Sequence, residues 1–233
     1  MSKGVMGIDY ADGRRNRPEL IYRYKFRAFS AFKAVPSIYK GSLIDFGAAD
    51  GLTLSEIQKI AKLSEVVGIE LSTDLVTIAR KNGFNVIKGD ICNLPSEIPH
   101  NHYDAVTALA VLEHLEHPEK AMQEAFKVLK PGGFFIASSP NPIWDDIASK
   151  IGIHKEKEHH VNNITPLFFK KLSLENGFKF IKSEPFMLVG PAFLPYLNIN
   201  PGIKTSYLFD KIFNFGLFKF FYVNQLFIAQ KPY

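Results

Sequence analysis

From residue 41 onward, short apolar runs rich in β-branched residues alternate with longer stretches of helical period. No other feature narrows the fold as much, because this alternation is the pattern of parallel strands joined by crossover helices. Strands are expected at 43–46, 66–70, 84–88, 103–109 and 134–138, with helices at 52–63, 72–82 and 118–130. The punctuation agrees. Ser72 stands at an N-cap and Gly83 at a helix stop, Pro118 occupies a first helical position, and Lys130-Pro131-Gly132-Gly133 closes the helix before the next strand.

Beyond residue 140 the rhythm changes. Pro142 opens a short helix, and Thr165-Pro166 reads as N-cap and first turn of a helix ending at Gly177. Strands are expected at 178–183 and 221–230. If those two pair as a hairpin, the last strand enters the sheet antiparallel to its neighbours. The loop of that hairpin, about 187–220, is aromatic-rich: 14 of the chain's 31 aromatic residues lie in 180–233. Within it, 203–223 places Leu208, Ile212 and Phe215 at helical spacing, widened by Phe209, Phe213 and Phe220 and interspersed with Lys204, Lys211 and Lys219.

Composition removes several function classes. No run approaches the roughly 18 apolar residues of a membrane span, and Met1–Met6 lacks a secretory apolar stretch, so a cytoplasmic protein is expected. Cys92 is the sole cysteine, which excludes an internal disulfide and a cysteine-built zinc site. Of the net charge of +5, residues 1–40 alone contribute +6, from nine basic and three acidic side chains. The remainder is close to neutral. A basic arm on a neutral body reads as a solvated amphipathic helix, and with no groove-entering motif nucleic acid is not the expected partner. The expected division is a basic arm and helix at 1–40 and one domain at 41–233. The helix at 18–34 carries Tyr22, Tyr24, Phe26, Phe29 and Phe32 among Arg23, Lys25 and Arg27. It either packs on the sheet edge or closes over a site.

Asp45-Phe46-Gly47-Ala48-Ala49-Asp50-Gly51 lies between the first strand and its helix, where a doubly wound sheet holds a nucleotide-like ligand. The glycine spacing of the dinucleotide fingerprint fails, since from Gly47 the next two glycine slots hold Ala49 and Leu52. A tight β-α connection without ligand remains an alternative. Glu70 ends the second strand 19 residues after Gly51, placed to accept both hydroxyl hydrogens of a ribose. Asp90 follows the third strand, as an Asx-turn or as a ligand contact.

The D-x-G-x-A-x-G turn, Glu70, Asp90 and the block 103–133 together resemble class I, seven-strand S-adenosylmethionine-dependent methyltransferases, in particular the small-molecule, ubiquinone-pathway-like branch. The resemblance covers about 41–186. Ala49 replaces the middle glycine of the usual motif. It implies an α/β, doubly wound seven-strand sheet, mostly parallel with an antiparallel last strand. It also implies S-adenosyl-L-methionine as cofactor, S-adenosyl-L-homocysteine as product, and a cofactor site built from Asp45, Gly47, Ala48, Gly51, Glu70, Leu71, Asp90, Ile91 and Leu109. Glu70 would hold the ribose, Asp90 the adenine amino group, and Ile91 the ring face. An Arg or Tyr of the 18–34 helix would reach the methionine carboxylate.

Methyl transfer from a sulfonium is an in-line displacement that needs positioning more than a covalent intermediate. For a hydroxyl acceptor a histidine base would help, and the candidates are His114 and the pair His159-His160. Glu113-His114 serves equally to order the following turn. Related enzymes bind a divalent ion through E-x-x-E-H and a later histidine. Here the first glutamate is Ala110, so no metal is expected. The expected acceptor is a small molecule, lipid-linked compound or glycan, roofed by the 18–34 helix and the aromatic insert with its lysines outside. Membrane-surface contact and a dimer face are the insert's other readings. A nicotinamide-dependent oxidoreductase and a noncatalytic cofactor-binding module remain the alternative functions.

Overall fold

The computed structural model describes residues 7–150, 152 and 160–233. His159 lies outside them. Seven strands form one sheet in the order β3-β2-β1-β4-β5-β7-β6: β1 (Ser42–Phe46), β2 (Glu65–Glu70), β3 (Val86–Lys88), β4 (Tyr103–Leu109), β5 (Leu129–Pro140), β6 (Lys179–Leu188) and β7 (Tyr222–Gln230). The first five are mutually parallel where they pair, and β7 runs antiparallel to both β5 and β6. β1 lies between β2 and β4, so chain order reverses beside it and a crevice opens at the strand C-termini. All five residues of β1 are buried, as a central strand covered on both faces requires.

Alternation along β1 sends Ile44 and Phe46 to a core shared with α5 (Pro118–Val128) and α7 (Pro166–Glu175), and Leu43 to the opposite core. That second core is filled by α2 (Pro18–Ala34), α3 (Leu52–Ala61) and α8 (Val189–Phe193). α4 (Thr73–Lys81) starts at Ser72, whose hydroxyl accepts from the Leu75 amide as the sequence led us to expect.

Several boundaries differ from expectation. The α5 helix ends at Val128, and β5 begins at once, running through Pro131-Gly132-Gly133. β6 extends to Leu188 because its second half pairs with β7 down to Leu188 and Tyr222, pairing invisible in local sequence. β3 shortens to Val86–Lys88. The single helix expected over 203–223 is instead α9 (Ile203–Phe213) followed by a 3₁₀ turn, Gly216–Phe221, with Gly216 at φ 49°. The basic arm is not simply solvated. It holds an unforeseen helix, α1 (Ile8–Asn16), with Arg14 only 4% exposed. Its weak apolar stripe gives no periodic signal, and what fixes it is charge. Arg15 bonds Asp50 at 2.9 Å, and Arg14 lies 3.6 Å from the same carboxylate while donating to Thr53 Oγ1 at 2.7 Å.

Gly51 has φ 83°, and a Cβ added there would sit 2.2 Å from the Phe84 ring. Gly51→Ala is therefore expected to lower unfolding free energy by about 1–3 kcal/mol in urea titration. Adding Phe84→Ala should relieve the ring clash but leave that residue's Cβ 2.9 Å away and the backbone strained, so it should rescue Gly51→Ala only in part.

Candidate active site

The crevice at the C-terminal ends of β1, β2 and β4 is a cleft of about 980 Å³, counting the space open at its mouth. Its β1 wall is the glycine turn. Gly47 has φ 74°, and a Cβ there would lie 2.7 Å from Val111 Cγ2, so only glycine lets the β1 turn and the segment after β4 approach this closely. Ala49 is also left-handed, at φ 48°, a strained state for a side-chain-bearing residue. Two contacts hold it there. Its amide donates to Glu70 Oε2 at 2.9 Å, and its methyl packs with Ala11 of α1 and Leu75 of α4.

Glu70 is 8% exposed, and each carboxylate oxygen takes one backbone donor: Oε2 the Ala49 amide, Oε1 the Ser72 amide at 2.8 Å. A carboxylate offers about four lone-pair positions, so about two remain for a ligand. Beneath it Asp45, 2% exposed, accepts from Thr107 Oγ1 at 2.6 Å. Burial pushes its pKa up to about 7, against the lowering effects of the Thr107 hydroxyl and Arg14. A carboxylate so desolvated beside a cleft favours a cationic ligand. Asp90 Oδ1 accepts the Cys92 amide at 2.8 Å, the Asx-turn, and Asp90 also lines the cleft, so the two readings coexist.

Of the nine residues expected at the cofactor, Asp45, Gly47, Glu70, Leu71, Asp90, Ile91 and Leu109 line the cleft. Ala48 and Gly51 stand behind it, Ala48 packed with Leu54, Val76 and Val86, and Gly51 against Phe84. The front is closed by Arg14, Tyr24 and Arg27, of which Arg14 had no sequence signal. Its partner Asp50 is 36 positions away and nothing local marks the pairing.

His114 lines the cleft, and His160 meets it edge-on with ring centroids 4.9 Å apart. His160 Nδ1 lies 2.8 Å from Asp145 Oδ2, which orients the ring. Glu113 is buried with neither carboxylate oxygen hydrogen-bonded, and its pKa rises to about 7 through burial. One ligand atom each from Glu113, His114 and His160 fall within 4.8 Å of one another. Two imidazoles and a carboxylate are softer than the all-oxygen set magnesium prefers, and residue 110 is alanine, so no step is assigned to a metal. A second, shallow depression of about 440 Å³, most of it space open at its mouth, adjoins across Arg27, which lines both. Its walls include Arg23, Trp144, Asp145, Phe193 and Asn224. α9 lines neither cavity. The part of the insert that joins the wall is α8, through Ala192 and Phe193.

A doubly wound sheet with a glycine turn after β1 and an acid ending β2 has the form in which such sheets hold nucleotide-like ligands at the strand C-termini, and the antiparallel seventh strand sets it apart from an all-parallel sheet. Residues 44–137 match the family model described as a methyltransferase domain. This core is thus similar to the methyltransferase domains of S-adenosylmethionine-dependent methyltransferases of the seven-strand class. An uncharacterised transposon protein of Streptomyces fradiae is 29% identical over 170 residues, 66% of this chain and 47% of that one. A ubiquinone biosynthesis O-methyltransferase of Hydrogenovibrio crunogenus is 31% identical over 114 residues, 47% of this chain and 46% of that one. The chain thus spans about half the length of these relatives. In fold it is similar to a SAM-dependent methyltransferase from Archaeoglobus fulgidus, with TM-score 0.67 and 20% identity over 97% of this chain and 100% of that one.

Because the pKa of Asp45 is raised from 3.8 to about 7 in the fold, its contribution to stability is greatest below pH 3.8 and is lost as pH rises toward 7. Asp45→Asn should flatten the fall in unfolding free energy over that window. Glu113 and Asp210, also raised, account for what slope remains. Denaturant titrations at successive pH values measure it, and an unchanged slope would contradict the assignment.

Proposed function

We propose that this chain binds S-adenosylmethionine in the β1–β2–β4 cleft and transfers its methyl group to a small-molecule, lipid-linked or glycan acceptor held in the adjoining cavity. The observation that carries the reading is Glu70: a buried carboxylate at the end of β2, fixed by two backbone amides, with acceptor capacity left over at the cleft wall. The cofactor supplies an electrophilic methyl on a sulfonium leaving group. The chain's own residues bind, orient and shield. Glu70 accepts from the ribose hydroxyls, Asp90 from the adenine amino group beside Ile91, and Gly47 admits the ligand close to backbone. Asp45 on the floor opposes the ligand's positive charge, while Arg14, Tyr24 and Arg27 cover it from water and reach its carboxylate.

On the acceptor side Trp144 and Phe193 offer aromatic surface, Arg23 and Arg27 donors and Asn224 Oδ1 an acceptor. That combination suits a ring bearing hydroxyl or anionic groups. For a hydroxyl acceptor we assign proton removal to His114, with His160 held behind it by Asp145 as the positioning residue. The similarity to the ubiquinone biosynthesis O-methyltransferase supports a small-molecule acceptor.

Equilibrium titration with S-adenosylhomocysteine tests the cofactor site, with saturable binding expected. Glu70→Ala should weaken it at least about 10-fold, the lower end of losing one charge-assisted hydrogen bond. Affinity that is unchanged removes Glu70 from the site. Transfer of labelled methyl groups to a cell extract, with mass identification of the product, tests the reaction, and binding without transfer would favour the noncatalytic reading. With a hydroxyl acceptor in hand, His114→Ala should cut turnover by roughly 10²- to 10⁴-fold while S-adenosylhomocysteine affinity stays near wild type. A rate within a few-fold of wild type would return His114 to a purely structural role.

A further inference from the structure

The α9 helix turns two polar residues inward and several large apolar ones outward. Its buried positions are Ser206 and Asp210, while Leu208, Phe209 and Ile212 are 59%, 44% and 53% exposed. This orientation is not free to relax. Asp210 accepts from the Met187 and Leu188 amides at 2.6 and 2.9 Å, its own carbonyl accepts from the Tyr222 hydroxyl at 2.8 Å, and Tyr207 packs edge-on against Phe29 of α2 at 5.2 Å. The 3₁₀ turn that follows extends the same character: Phe215, Leu217, Phe218, Phe220 and Phe221 are all exposed, and Leu197 and Ile199 precede the helix in the same state. Ten of the 21 exposed large hydrophobic residues described fall in the 25 positions 197–221. A water-facing surface of this kind signals an apolar partner.

The charges decide which partner. Lys204, Lys211 and Lys219 are exposed among these residues, and the segment's single acid, Asp210, is buried and bonded inward. Glu184 of β6 lies 4.0 Å from Lys211 and closer, at 3.4 Å, to Lys182. Lysine is depleted in protein–protein interfaces, whereas phenylalanine and leucine interspersed with lysine are what an anionic lipid surface accepts. We propose that α9 and the 3₁₀ turn form a docking face for an anionic lipid bilayer, lying in its interface with the aromatic side chains among the acyl chains and the lysines at the headgroups. The acceptor cavity opens beside this face: Trp144 of α6 (Pro142–Lys150) donates to the Phe220 carbonyl at 2.5 Å and packs on Phe221. The docking itself requires neither cofactor nor acceptor, so it stands or falls separately from the methyl-transfer reading.

Cosedimentation of the full chain with vesicles of phosphatidylcholine and phosphatidylglycerol, against phosphatidylcholine alone, tests this. Binding to the anionic vesicles should exceed binding to the neutral ones and weaken with added salt. Each lysine near such a surface is worth on the order of fivefold in partition, so Lys204→Glu with Lys219→Glu should lower it at least about tenfold. Leu217→Asp with Phe220→Asp should abolish it. Both pairs should retain the wild-type circular dichroism and S-adenosylhomocysteine affinity. The proposal is overturned if anionic vesicles leave the protein in solution, or if neutral vesicles bind it equally and the lysine pair is without effect. It is equally overturned if the protein forms a dimer that Leu217→Asp disrupts while vesicles capture none of it, which would assign the face to a second copy of the chain.

Discussion

The site depends on one buried carboxylate. Glu70 joins the turn after β1 to the turn after β2 by accepting an amide from each, so the two loops that shape the cleft share a single anchor. Without it the buried Ala49 amide would be left without a partner, at about 1–3 kcal/mol, and the part-buried Ser72 amide would turn to solvent. The same bond holds Ala49 in a left-handed conformation that its methyl group disfavours. Strain stored at the glycine turn is thus offset by hydrogen bonding from the neighbouring strand and by the small apolar contact with Ala11 and Leu75.

That arrangement explains the departure from the usual glycine motif. A glycine at position 49 would relax the backbone but give α1 nothing to pack on. With Ala49, the arm gains an apolar foothold beside its ion pairs to Asp50, and Arg14 is carried to the cleft. Each arginine alone would be an ordinary surface charge. Paired with a fully buried Asp50, they fix where the arm lies.

The parts legible in the sequence were those whose physics is local. The β-α rhythm, the Ser72 cap, the glycines of the first turn and Glu70 at a strand end all follow from short-range rules, and all recur in the structure. Even the antiparallel β7 followed from pairing two consecutive strands. What stayed hidden depends on long-range partners. The role of Arg14 needs Asp50, the length of β6 needs β7, and the outward face of α9 needs Asp210 to find the Met187 and Leu188 amides. Apolar periodicity alone would turn Leu208 and Ile212 inward. Gly51, read from the motif as a cofactor residue, stands against Phe84 behind the cleft wall, where its missing Cβ makes room for the ring, a contact that no local pattern marks.

The two cavities are built from different stretches of chain. Apart from Arg14, Tyr24 and Arg27, the cleft draws on residues 45–115, whereas the adjoining cavity takes its walls from α2, residues 140–148, α8 and the first turn of β7. Arg27 is the only described side chain common to both. Changes in one chamber should add energetically to changes in the other except where they pass through that guanidinium or along the Asp145–His160–His114 contacts. In such an architecture one chamber can be rebuilt by replacing peripheral segments while the other is kept, provided that Arg27 and the histidine pair that join them are respected.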